Sequence, residues 1–394
     1  MAPVPGEEPQ AALGTGPATA FPDDAGLSLP SVPSSVLSMP NGDGPERTSS
    51  PTIYDIAAAA GVAASTVSRT FSRPGRVNAE TAARIRAIAE EMGYRTNPLA
   101  RALPTGRTSL LALVTSDVTN PFFFEIIRGA QITAAAAGYT LLVADARESA
   151  DAERQALDHT LPLVDGLVLA TSRMSDSAIR VAAKQRPTVV LNRVVTDIPS
   201  VVTDNARGAK LAVEHLAGLG HRHLTYLAGP EASWADGMRW RALRDATHQL
   251  DLRLTRLGPF TPTLRGGHEA AAEFARSPSS AVIGYNDLLA IGLMQGLRQF
   301  GARVPEDVSV VGFDNIFGSD FCDPPLTTVA APLRELGAHA VGALVSELKT
   351  RSARPQHVRA AILPAALRVR GSTTDYRRRR STWTQRAEEV LAAP

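Results

Sequence analysis

A single cysteine, Cys322, in a chain of 394 residues leaves no partner for an internal disulfide and no thiolate set for a structural zinc site, so a reducing compartment is expected. Long hydrophobic runs are missing too. No stretch reaches the roughly 20 apolar residues a membrane helix needs, and the N-terminus has no charged start followed by an apolar core. A cytoplasmic location with no membrane partner is therefore expected. Net charge is scarce: a formal +2 is nearly neutral for this length, so any affinity for nucleic acid must come from local clustering. No Gly-rich phosphate loop, zinc-binding helix or nucleophile elbow stands in a fitting context. Neither enzymatic activity nor a cofactor or metal is expected.

The chain does have a hydrophobic content of 44%, enough for globular packing, at a length that suits two or three compact units. Its charge is also clustered. Between Pro51 and Arg107 the basic residues Arg69, Arg73, Arg76, Arg84, Arg86, Arg95, Arg101 and Arg107 face only Asp55, Glu80, Glu90 and Glu91. Residues 1–50, rich in Pro, Ala, Gly and Ser and without hydrophobic periodicity, are expected to form a disordered leader.

From Thr52 the pattern changes. TIYDIAAAAG predicts a short helix capped by Thr52 and stopped by Gly61; a second helix follows from about Ala64 to Phe71. AETAARIRAIAEEMGY then spaces Ala83, Ile85, Ile88, Ala89 and Met92 as the apolar side of a third helix. Helix, glycine turn and helix at this spacing make a helix-turn-helix over 51–95, whose second helix enters the major groove of DNA. Small side chains at Ala64 and Ser65 let its backbone approach base edges, and Arg69, one turn on, reaches guanine O6 and N7 with its bidentate fork. Tyr54, Thr66, Ser68, Ser72, Asn78 and Thr81 are candidates for phosphate contacts. Taken singly, each residue favours an ordinary packing module or a solvated surface.

The order TIYDIAAAAGV followed by STVSR, continuing through RVNAETAARIRAIAEEMGYRTNPLARAL, resembles the LacI/GalR family of bacterial transcription regulators, and the resemblance extends to about residue 373. It implies a repressor whose positions matching Ala64 and Ser65 set operator preference and whose position matching Arg69 contacts bases. Where the family usually has a serine cap, this chain has Ala63, which forfeits a bond worth ~1 kcal/mol. In the hinge, 96–108, Asn97 can cap a short helix with Leu99, Ala100 and Leu103 on its apolar side; so short a helix is unstable alone. The resemblance implies that two hinge helices, one from each subunit of a homodimer, pair in the minor groove of a palindromic double-stranded operator, with Leu103 as a wedge. Thr96 replaces a common proline, and Pro104 should end the hinge helix sharply. Without the upstream motif, a simple linker is the plainer reading.

Beyond the hinge, LLALVT, YTLLVAD, DGLVLA, PTVVLN, HLTYLAG, SAVIGYN and DVSVVGFD read as buried strands alternating with helices, including NPFFFEIIRGAQITAAAAG, which ends at Gly138. This predicts an α/β fold of parallel sheets in two lobes over 109–373, with a ligand cleft between them. Ligands in such sheets bind beyond the carboxyl ends of strands. Asn120 with Phe122 and Phe123, Asn192 and Arg193, Asp204, Arg239, Asn286 with Asp287, and Asp314 follow apolar runs; with Trp234 and Phe260 nearby they would suit a sugar. Taken singly, Asn286 or Asp287 is better read as a helix cap, and Asp314 and Asn120 as turn residues. The same resemblance implies a periplasmic-binding-protein-like effector core in which positions matching Arg239, Asn286 and Asp314 contact the ligand. Asn192 replaces a frequent aspartate. His221 and His223 are expected to be structural.

A ligand that prefers one arrangement of the lobes would control DNA affinity allosterically. The competing classes are a solute-binding receptor without gene control and a sugar-acting enzyme. The last segment, 374–394, with Arg377 to Arg380, is expected to be a solvated basic tail.

Overall fold

The structure, a computed structural model, describes residues 51–72, 75–94, 107–350, 360–376 and Trp383. The expected leader, the hinge residues Asn97, Ala100 and Leu103, and Arg377 to Arg380 lie outside the described residues. The chain divides into two compact units, Met1–Tyr94 and Arg95–Pro394.

In the first unit, three helices pack on one small core: α1 (Ile53–Ala60), α2 (Ala64–Ser72) and α3 (Ala79–Glu91). Thr52 and Asp55 form a reciprocal capping box at the start of α1, and Gly61 ends it at φ 63°, a left-handed conformation that costs glycine least. Ile56, Val67 and Ile85, one from each helix, are fully buried together. The buried side of α3 is Ala82, Ile85 and Ala89, with Ile88 packed alongside; Ala83 and Met92, expected on that side, are exposed. Ala82, Ile85 and Ala89 keep the three- and four-residue steps of a helical stripe, from which Ala83 is a full residue's rotation away.

The second unit has two six-stranded sheets. The N-terminal lobe contains β1 (Leu110–Thr115), β2 (Thr140–Asp145), β3 (Gly166–Ala170), β4 (Thr188–Leu191) and β5 (Ser200–Thr203), interleaved with α4 (Phe122–Ala136), α5 (Ala150–Thr160) and α6 (Asp176–Gln185). The C-terminal lobe contains α7 (Asn205–Gly218), β6 (His223–Leu227), α8 (Trp234–Gln249), β7 (Arg253–Leu257), α9 (Leu264–Arg276), β8 (Ala281–Gly284), α10 (Asp287–Gln299), β9 (Ser309–Asp314) and β10 (Thr327–Ala330). The chain then returns through α11 (Leu333–Lys349) and β11 (Ala361–Leu363) to the first lobe, and ends its sheets with β12 (Ala366–Arg368) in the second. Strand order is β11-β5-β4-β3-β1-β2 in one sheet and β12-β10-β9-β8-β6-β7 in the other, with every pairing parallel except β10 with β12. The α/β fold with parallel-dominated sheets is as expected. Its two lobes are not sequential halves, because the chain crosses between them after β5, after β10 and after β11.

Close helix packing fixes the first lobe. A Cβ on Gly129 of α4 would lie 2.0 Å from the Arg334 carbonyl oxygen, and one on Gly337 of α11 would lie 2.0 Å from that of Ile126. Backbone meets backbone here, which only glycine permits. At the far edge of the second lobe, His221 bonds Ser280 Oγ at 2.9 Å and Ser309 Oγ at 3.1 Å, the structural role expected of it. His223, on β6, bonds Thr255 Oγ1 at 2.9 Å. Tyr376 donates its N–H to the Leu219 carbonyl at 2.7 Å, and Trp383, only 4% exposed, stacks on Phe274 at 6.4 Å. These two residues are docked on the lobe, where a solvated tail was expected. An indole buries well over 100 Å² when it finds an apolar seat, and basic composition around it does not cancel that gain. Among the described residues no helix is long and apolar enough to cross a membrane.

Candidate functional site

Carboxyl ends of strands from both lobes converge on a cleft of about 310 Å³, counting the space at its mouth. The first lobe contributes Ser116, Asn120, Phe122, Phe123, Glu148, Thr171, Arg173 and Asn192; the second contributes Arg239, Pro262, Tyr285, Asn286 and Asp314. Several of these residues sit in strained backbone at or just past the ends of their strands: Glu148 (φ 55°), Thr171 (φ 60°), Asn192 (φ 59°) and, as the last residue of β9, Asp314 (φ 109°). For a β-branched residue such as Thr171 a positive φ is a true outlier, and strain of this kind gathers at ligand sites.

Arg239 is 2% exposed and fully engaged. Its Nε donates to Asn205 Oδ1 at 3.0 Å, Nη1 to the Tyr285 carbonyl, and Nη2 to Asp314 Oδ1 at 2.9 Å, while the guanidinium stacks 3.8 Å from the Phe313 ring centre. Asn205 opens α7 immediately after the first crossover, so this arginine ties the cleft wall to the lobe junction. Burial pushes the Asp314 carboxyl up to about 6 against the opposing pull of Arg239. Beneath it, burial and the neighbouring Asp314 charge push Asp287 up to about 8. Asp287 accepts from Thr328 Oγ1 at 2.6 Å and from the Ile316 N–H at 2.8 Å.

On the facing lobe, Arg173 pairs with Glu148 at 2.7 Å, and Ser116 Oγ donates to the other Glu148 oxygen at 2.8 Å. The buried Glu153 accepts the Arg173 backbone N–H at 2.8 Å, and the Arg173 guanidinium interacts with Tyr285 across the cleft. Asn192 is 5% exposed, and its Oδ1 has no partner.

Of the residues singled out in sequence, the cleft brings together Asn120, Phe122, Phe123, Asn192, Arg239, Asn286 and Asp314. Two of these also serve the fold: Asn120 Oδ1 accepts the Phe122 N–H at 3.0 Å, and Asn286 caps α10 by accepting the Leu289 N–H at 2.9 Å. Asp204 caps α7, accepting the Arg207 N–H at 2.9 Å. Arg193 and Trp234 line a smaller adjoining compartment. Arg193 holds the loop after β3 there, donating to the carbonyls of Ser172 and Met174 and to Asp176. Phe260 lines neither compartment and packs in the hydrophobic core. The sequence reading passed over Ser116, Glu148, Thr171, Arg173 and Tyr285. All lie within three residues of a strand end, so the same rule applied to every strand would have found them.

In the first unit, Ser65, Arg69 and Ser72 form an exposed stripe on α2, opposite the buried Val67 and Thr70. Tyr54, 73% exposed, stands on α1. Ala64 packs in part against the trihelical core, and Thr66, Ser68 and Thr81 are half-buried. Asn78 caps α3 by accepting the Glu80 N–H at 2.9 Å, and the Ser72 hydroxyl donates to the Ser68 carbonyl at 2.7 Å. Ala63 closes the first turn of α2 through its carbonyl, which accepts from Thr66 at 2.8 Å, and has no side-chain oxygen to cap the helix.

Residues 52–97 match the family described as bacterial regulatory proteins, lacI family, and residues 213–373 match a periplasmic binding protein-like domain. The chain is 33% identical over 334 residues to the HTH-type transcriptional repressor CytR of Escherichia coli strain K12, covering 82% of this chain and 96% of that one. The chain belongs to the lacI family of bacterial regulatory proteins. A solved lac repressor dimer bound to operator and the anti-inducer ONPF superimposes with a TM-score of 0.73 at 26% identity, covering 83% of this chain and all of that one. A LacI family regulator from Enterococcus faecium with bound ribose gives 0.61 at 30% identity, covering 68% of this chain and all of that one. Within this family frame, the trihelical unit and the two-lobed unit each have a counterpart in a chain of the same order.

Proposed function

We propose that this lacI-family protein is a cytoplasmic transcriptional repressor that binds a palindromic operator as a homodimer and is controlled by a small sugar-like effector held between its two lobes. The observation that carries the proposal is the pairing, in one chain, of an exposed Ser65–Arg69–Ser72 stripe on α2 with an interlobe cleft that holds an unpartnered, buried Asn192 oxygen. The stripe supplies donors and acceptors for base edges and phosphates, with Tyr54, Asn78 and Thr81 on the flanking helices. The hinge, 96–108, with Asn97, Ala100 and Leu103, is assigned from sequence to the minor-groove segment.

In the cleft, the walls come from different lobes joined by three chain crossovers, so a ligand touching both favours one lobe arrangement. Coupling of ~1 to 3 kcal/mol, typical of allosteric proteins, changes operator occupancy several-fold or more. The polar walls, with Phe122 and Phe123 set edge-to-face at 5.1 Å, suit hydroxyl groups and C–H faces together. The lone-receptor and enzyme readings are not favoured: neither accounts for the α2 stripe. Footprinting the purified protein on its own upstream DNA, with and without a sugar panel, tests the proposal. A protected palindrome whose occupancy responds to one sugar is expected; protection without sequence preference would refute it.

A further inference from the structure

We infer that Arg173 of the first lobe and Tyr285 of the second form a latch of the protein's own, which holds the lobes together and gates entry to the cleft. The latch needs only the two lobes and the contact between them; its effect on DNA rests on the repressor reading.

The enclosed part of the cleft measures about 20 Å³, room for about one water molecule. Ligand pockets usually run from ~300 to 1,000 Å³, so a ring-sized molecule enters this one when its walls part. Whatever resists that parting sets access. The Arg173 guanidinium reaches the Tyr285 hydroxyl across this space, and a hydrogen bond with one charged partner is stronger than a neutral one.

Each end of the latch is braced within its own lobe. The Arg173 side chain is 6% exposed, Nε and Nη2 both reach Glu148 Oε2 at 2.7 Å, and the backbone N–H donates to Glu153 at 2.8 Å. Glu148 is held in turn by Ser116 Oγ at 2.8 Å, which accepts from Thr171 Oγ1 at 2.8 Å. On the second lobe, Tyr285 Oη lies 2.9 Å from Oγ of Ser233, the N-cap of α8, and the Tyr285 carbonyl accepts from Arg239. The ring lies against the turn after β6, where a Cβ on Gly229 would come within 2.5 Å of it. Asp236 fixes that turn, accepting from the Gly229 N–H and the Tyr226 hydroxyl at 2.7 Å each.

Side chains braced in this way cannot follow one another when the lobes separate. Arg173 with Glu148 and Tyr285 with Ser233 are contacts within one lobe and survive opening; the Arg173–Tyr285 contact is lost. An interaction made in one lobe arrangement and absent from the other biases the equilibrium between them by its own free energy. The latch is therefore a conformational bias written into the chain, against which any occupant of the cleft must act.

Thiol trapping tests this. In the full chain carrying Cys322→Ser, a cysteine placed by Pro262→Cys, at a buried position on the cleft wall, reacts at a rate proportional to the open fraction, so even rare opening is read. With no sugar added, Tyr285→Phe keeps the ring and should raise that rate about tenfold, the size expected for losing a hydrogen bond to a charged group. Arg173→Gln should raise it similarly, and the two together should add no more than about threefold, since both remove one interaction. Ser233→Ala, which takes away the partner of the hydroxyl on the same lobe, should leave the rate unchanged. A thermal melt confirms that each variant is folded, and operator titration of the same variants reads the consequence on DNA. An unchanged rate in Tyr285→Phe, an equal rise in Ser233→Ala, or fully multiplicative effects of Tyr285→Phe and Arg173→Gln overturn the latch and leave the repressor reading standing. Faster trapping with unaltered operator affinity supports the latch and refutes the coupling of lobe opening to DNA.

Discussion

Arg239 Nη2 donates to Asp314 Oδ1 at 2.9 Å on the wall of the cleft, where the two side chains are 3% and 6% exposed. Buried pairs of this kind add little net stability but are costly to break from one side. Arg239→Met should therefore lower stability by ~3 kcal/mol or more by stranding Asp314, and abolish the response to effector. The double variant Arg239→Met with Asp314→Leu should regain much of the stability without regaining the response. Denaturant melts and operator titrations with effector separate the two effects; a response that survives in either variant would place the ligand elsewhere.

Asp287 holds its proton to about 8 because it is buried, beside Asp314 and with Arg370 opposing. Its folded value lies above the unfolded one, so its contribution is complete below the usual 3.8 and disappears as pH rises to about 8. Buried His221 is held below its usual 6.5 by desolvation and acts in the opposite direction only beneath that value. Between about 6.5 and about 8, stability should thus fall with pH by up to ~1.4 kcal/mol per unit, and Asp287→Asn should flatten that slope. Thermal melts across this range decide; an unchanged slope in the variant assigns it to another group.

Arg69→Ala should erase discrimination at one base pair per half-site, at ~1 to 3 kcal/mol, while leaving weak salt-sensitive binding. Anisotropy titrations against operators substituted at single positions measure it. Undiminished discrimination would reassign Arg69 to the backbone or to solvent.

Ala63→Ser supplies the oxygen missing at the start of α2 and should stabilise the trihelical unit by ~1 kcal/mol. Chemical denaturation of the full chain, followed by amide exchange in α2, reads this directly. No added protection in the first turn of α2 would mean that a serine hydroxyl does not reach the helix donors.

Gly337→Ala places a methyl 2.0 Å from the Ile126 carbonyl oxygen across the α4–α11 contact. Overpacking of this kind costs ~1 to 3 kcal/mol, with no change in bound operator sequence. A melt of unaltered stability would show that the two helices can separate freely.

Element by element, legibility in the sequence followed the apolar run and not burial itself: YTLLVAD read as a strand although β2 has no buried residue, and the mostly buried TTVA of β10 was not anticipated. LLALVT, DGLVLA and DVSVVGFD read as strands because both of their sheet faces are covered, leaving continuous apolar runs. Arg253–Leu257, an edge strand with exposed arginines, and the three-residue β11 and β12 carry no such run and were not anticipated. In the cleft, Asn192, Arg239 and Asp314 stood out by following apolar runs or the LAGP turn. Glu148 and Arg173 did not, since a glutamate and an arginine separated by 25 residues show their pairing only once β2 and β3 are placed on either side of β1.

Local order was written in the chain itself: the caps of α1 and α3, the alternation of strand and helix, and the family signature all depend on neighbours within a few residues, where spacing and side-chain type decide. The crossovers after β5, β10 and β11, the matching of each cleft arginine to its carboxylate, and the unpartnered Asn192 oxygen arise between residues distant in sequence. Such contacts have no period to read, because they exist only after the sheets have twisted and closed on one another.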